Sequence, residues 1–84
     1  MRAPRRSYMP RPAIVRTAGE DGRGPPRMVG PVAVEAVREE WLVEDRWWTP
    51  RPLRRHYFEL ALADGRALTI FRDAGDGRWF RQRA

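Results

Sequence analysis

Arginines and aromatics crowd into the stretch "EDRWWTPRPLRRHYFEL", residues 44–60. Trp47 and Trp48 are followed by Arg51, Arg54 and Arg55, then by His56, Tyr57 and Phe58. These residue types have a defined chemistry. A guanidinium makes forked hydrogen bonds to phosphate and stacks on rings. An aromatic face stacks a nucleobase, worth roughly 1–3 kcal/mol per base. The same residues also build and solvate a very small β-domain. Trp47 and Trp48 are adjacent, so on a strand they point to opposite faces and cannot form one platform. Either one fills a core while the other is covered by residues 13–17 or by Pro50 and Pro52, or one stays open beside Arg54 and Arg55.

Other chemistries find little support. His56 is the only histidine and there is no cysteine, so a Cys/His zinc cage cannot be assembled. Ser7, Thr17, Thr49 and Thr69 are the available hydroxyl nucleophiles, and none has an evident His/Asp arrangement around it. Asp64 and Asp76 precede glycines and read as turn formers. Glu39, Glu40, Glu44 and Asp45 form one acidic cluster, which reads as solvated charge along a strand or bend. No glycine-rich phosphate loop leads into a helix. A non-enzyme without cofactor or metal is expected.

The elements that position these residues are short. Residues 1–31 hold six of the eight prolines and four of the seven glycines, which opposes helix and long strand. Residues 1–12 read as a disordered basic arm carrying Arg2, Arg5, Arg6 and Arg11. Residues 13–30 read as a lead-in, with "AIVRT" (13–17) and "RMVG" (27–30) as a possible hairpin. Residues 31–84 read as a small β-domain. "PVAVEAVREEWLVEDRWW" fits two periods. Val34, Val37 and Trp41 follow a rough helical spacing, while Val32, Val34 and Ala36 alternate as in a strand. High β-branched and aromatic content and the lack of an N-cap favour strands at 32–38 and 41–48, bent or bulged near Glu39 and Glu40. "LRRHYFELAL" (53–62) places His56, Phe58, Leu60 and Leu62 on one face, and Arg55, Tyr57, Glu59 and Ala61 on the other. "ADG" turns into "RALTIFRD" (66–73), with Leu68 and Ile70 opposed to Thr69 and Phe71. "AGDG" turns into "RWFRQRA" (78–84). The sum is an all-β antiparallel meander of about four to six short strands, a single sheet or partly closed barrel.

A chain of 84 residues supports one domain with a marginal core. The net charge is +6, unevenly spread. Residues 1–30 carry seven Arg against two acids, and residues 31–84 carry ten Arg against nine acids. The body is therefore close to neutral. All 17 basic residues are Arg, and Asn is absent. A genome-wide compositional bias explains that pattern as well as selection for an acidic ligand does. The basic N-terminus lacks the apolar stretch of a signal peptide, and no run approaches the length of a membrane helix, so a cytoplasmic protein is expected.

The elements "VREEWLVEDRWW…PLRRHYFELALADGRALTIFRD…GRWFRQR" resemble a domain of unknown function. It occurs at the C-terminus of ImuB-type proteins, catalytically impaired relatives of Y-family DNA polymerases, and as short standalone bacterial proteins. The resemblance runs through Trp41, Trp47-Trp48, Arg55-His56-Tyr57-Phe58, Asp64-Gly65-Arg66, Phe71-Arg72-Asp73 and Gly77-Arg78-Trp79-Phe80. It covers roughly residues 10–83. His56 departs from the acidic residue found in many relatives. The resemblance implies a setting, damage-induced mutagenic synthesis alongside an error-prone polymerase and the sliding clamp. It implies no synthesis and no clamp binding, because the polymerase core and the clamp motif are not within these residues.

Three readings follow. The first is an accessory module of translesion synthesis that binds a protein of the polymerase machinery, through strand edges and any uncovered Trp. The second is low-specificity single-stranded nucleic-acid binding. The Arg2, Arg5, Arg6 and Arg11 arm would contact phosphates, with Trp47 or Trp48, Tyr57, Arg51, Arg54 and Arg55 as the groove. The third is a structural domain that oligomerises by its edges.

Overall fold

A computed structural model describes residues 10–19, 22, 24–45, 48, 50 and 53–82. It contains seven strands: β1 Arg11–Pro12, β2 Val15–Thr17, β3 Pro26–Val29, β4 Val32–Asp45, β5 Leu53–Leu62, β6 Ala67–Asp73 and β7 Trp79–Gln82. They form one antiparallel sheet in the order β1-β7-β6-β5-β4-β3-β2. That is more strands than the four to six expected, because the lead-in contributes two and the end of the arm a third. Arg11 and Pro12, expected in a disordered arm, pair with Arg81 and Phe80. The hairpin expected from 13–17 and 27–30 forms as β2 against β3, with Arg16 opposite Met28.

β1 and β2 sit at opposite edges of the sheet, yet only Ala13 and Ile14 separate them. One extended segment therefore pairs with β7 at one end and β3 at the other. The Ala13 amide donates to the Trp79 carbonyl at 3.0 Å, and the Gly30 amide donates to the Ile14 carbonyl at 2.7 Å. This tie bends the sheet into a half-barrel. With its edges tied together, the sheet can bury one face without a covering helix.

β4 is one strand of 14 residues rather than two, with the expected irregularity present beside Glu39 as a bulge. That bulge lies between Val37 and Glu39, and a second lies earlier, between Val34 and Ala36. Each is a bulge that inserts one unpaired residue without ending the ladder. Val34 lies opposite Leu62 and Val37 opposite Leu60, so both share a face despite being three apart. The bulges thus imitate the helical spacing seen in the sequence.

The core lies on the inner face. Val29, Phe58, Leu60, Leu62 and Ile70 are buried there, with Val15, Val32, Val34, Leu68 and Trp79 packed around them. Burying each large side chain stabilises by about 1.5–3 kcal/mol. The alternation expected along 53–62 and 66–73 is the one observed, but both faces of β5 and β6 are filled. Tyr57 and Phe71 on the reverse face are buried as fully as Phe58 and Ile70 on the inner one. The turns follow their sequence signals. Gly65 adopts φ 91° behind Asp64, and Gly77 adopts φ 73° behind Asp76. The carboxylate oxygens of Asp64, Asp73 and Asp76 accept from the amides of Arg66, Gly75 and Arg78, respectively.

Candidate interaction surface

The reverse face carries an aromatic ladder that follows directly from register. Trp41 lies opposite Tyr57, Tyr57 opposite Phe71, and Phe71 opposite Phe80. The ring centroids are 5.3, 5.0 and 5.3 Å apart, across β4, β5, β6 and β7. Such pairs add about 0.5–1.5 kcal/mol each beyond area burial. Arg55 lies over Phe71 at 4.4 Å and donates from Nη1 to the Tyr57 hydroxyl at 3.3 Å. Its Nε is buried without a hydrogen-bond partner. Arg78 caps Phe80 at 5.5 Å.

The groove expected for nucleic acid is not assembled by these positions. Tyr57 is 8% exposed and sandwiched between Trp41 and Phe71, so neither of its faces is open to a base. Arg55 is turned onto the ladder. Arg54 points to the other face of β5 and pairs with Glu44 at 3.3 Å, as a solvated strand arginine should. Trp48 is 65% exposed. Arg11 is exposed in β1 beside Arg81, with no carboxylate bound to either among the described residues. Trp47, Arg51, Arg2, Arg5 and Arg6 lie outside the described residues.

On the inner face, beyond the core, His56 Nε2 meets Glu40 Oε2 at 2.7 Å and stacks on Phe58 with centroids 4.3 Å apart. The pair is solvent-exposed. Thr69 lies on the reverse face, opposite Glu59 and Gln82, and cannot act with His56. Among the described residues no three His, Cys, Asp or Glu side chains are grouped to hold a metal ion.

Sequence reasoning raised Trp48 as an open side chain but missed its exposed neighbours on β4, Val37, Trp41 and Leu42. Among the described residues five large apolar side chains are exposed, and four of them, Val37, Trp41, Leu42 and Trp48, lie between residues 37 and 48. Leu42 is 66% exposed and Trp41 40% exposed, on opposite faces of one strand. The signal was present as Trp41-Leu42-Val43, three successive apolar residues, which on a strand must make both faces apolar. No family model matches this chain, and no curated protein or solved structure matches it.

Proposed function

We propose that this chain is a non-catalytic interaction module of the DNA-damage mutagenesis machinery, docking a protein partner along the far half of β4. The observation that carries the reading is that, among the described residues, four of the five exposed large apolar side chains lie between residues 37 and 48, with Trp41 and Leu42 on the far half of β4. Interface hot spots are enriched in tryptophan, and two of these side chains are Trp41 and Trp48. The setting comes from the sequence resemblance to the C-terminal domain of ImuB-type proteins. The test is recovery of polymerase-associated proteins from damage-treated cells by the tagged full chain. Recovery should fail with Leu42→Asp, an exposed substitution that keeps the fold. A wild-type chain that recovers no such protein refutes the proposal.

Low-specificity binding of single-stranded nucleic acid is the second reading. Arg11 and Arg81 favour it, two like charges directly opposed with no carboxylate bound to either among the described residues. Tyr57 and Arg55 do not, because both are engaged within the ladder. Binding of this kind weakens steeply with salt. Tryptophan fluorescence that ignores an added oligonucleotide at low salt rejects it.

A further inference from the structure

Strand order leaves one ladder half unmade. β4 pairs with β5 along Val34 to Asp45, but with β3 only at Val32 and Ala33. Among the described residues, the outer edge of β4 beyond Val34 has no strand beside it. Bulges commonly blunt such edges. Both bulges here precede Glu39, and from Glu39 to Asp45 the register runs without a shift. A regular open edge of this length is a template for another strand.

The side chains along that edge select what can lie there. Glu40, Leu42 and Glu44 are opposite Phe58, His56 and Arg54, so they share one face at two-residue spacing. Glu44 pairs with Arg54 and Glu40 with His56 on β5, yet both carboxylate side chains remain 58% exposed. Residues 34–45 carry five acids against one arginine, although the whole chain is strongly basic. A second copy is a poor occupant. Two-fold antiparallel pairing centred on Leu42 would set Glu40 of each copy opposite Glu44 of the other. Like charges directly opposed destabilise a sheet. A nucleic-acid backbone is repelled by the same carboxylates.

Charge complementarity therefore commits the edge to one occupant. We propose that the open edge of β4 takes an extended segment of a partner protein by strand addition. The segment carries a basic, an apolar and a second basic side chain at alternate positions, over Glu40, Leu42 and Glu44. This rests on the docking reading above and specifies its mode and chemistry.

The probe is an acetylated, amidated peptide with a Lys-Thr-Val-Thr-Lys core, titrated into the full chain by calorimetry at low salt. Its controls are the same core with Glu for Lys, and two versions N-methylated at alternate residues in opposite phase. The basic peptide should bind and the acidic one should not. One N-methyl phase should abolish binding and the other retain it, since only alternate amides of an added strand face the ladder. The double variant Glu40→Gln with Glu44→Gln should weaken binding about fivefold. The proposal is overturned if the basic peptide does not bind, if the acidic peptide binds as well, or if the two N-methyl phases behave alike. Dimerisation in light scattering with silent peptides would assign the edge to a second copy and overturn it too. If peptides are silent while Leu42→Asp still abolishes recovery of polymerase-associated proteins, the docking reading stands and strand addition falls.

Discussion

Replacing Phe71 with alanine separates a structural aromatic ladder from a binding platform. Phe71 is 1% exposed, flanked by Tyr57 and Phe80 and covered by Arg55. Truncating a ring so enclosed costs about 3–5 kcal/mol, a figure that already contains the lost ring and guanidinium contacts. At roughly 0.05–0.15 kcal/mol per residue, a chain of this length has about 4–13 kcal/mol in all. Phe71→Ala should therefore remove a large share of the stability. With a urea slope of about 1 kcal/mol per molar, the midpoint should fall by some 3 M or more, or the cooperative transition should vanish. Leu42→Ala is the matched control. Two thirds of that side chain is already in water, so its truncation should cost under about 1 kcal/mol and move the midpoint by less than 1 M. Urea unfolding followed by far-ultraviolet circular dichroism reads both. An unmoved midpoint for Phe71→Ala would mean that the reverse face is not a second core, and the structural assignment of Tyr57 and Arg55 would fall with it.

Three further outcomes are expected. Arg54→Ala should change stability by no more than about 1 kcal/mol, because the Arg54–Glu44 pair is exposed; a larger loss in the same urea assay would contradict that assignment. Gly24→Ala should destabilise the hairpin of β2 and β3, since its Cβ would collide with the Ala18 carbonyl oxygen; faster amide exchange at Val29 and Gly30 would report it. The Arg66 amide, aided by the Arg66 guanidinium, holds the Asp64 carboxyl below its ordinary value. A carboxyl lowered by folding stabilises above its unfolded value and loses that contribution as pH falls through the folded one. Asp64→Ala should therefore lower stability at neutral pH and flatten its decline below about pH 4, where carboxylates ordinarily protonate; an unchanged acid limb counts against the contact.

The meander from Leu53 onward was legible in the sequence because its alternation is clean and its turns carry Asp-Gly signals. His56, Phe58, Leu60 and Leu62 share the inner face as their spacing requires. β4 was harder, since two bulges shift the phase and turn period two into an apparent period three. The end of the arm was harder still. β1 has two residues, and nothing local to Arg11 and Pro12 indicates that Arg81 and Phe80 will lie beside them. The surface was misjudged for a related reason. Arginine beside aromatics looks the same whether the guanidinium faces solvent or lies on a ring, and only register decides that Arg55 covers Phe71. The open edge of β4 depends on how far β3 extends alongside it, which no composition reports.

The segment from Arg11 to Thr17 ties the first described strand to the last. During synthesis β1 has no neighbour until Trp79–Gln82 have left the ribosome. Closure is therefore a late, non-local event, and the nascent sheet waits with both edges open. Closure also brings Pro10 and Gln82 to one side of the molecule, since Arg11 and Arg81 stand opposite each other. With entry and exit adjacent, the domain can be appended to or inserted within a longer chain without stretching its host.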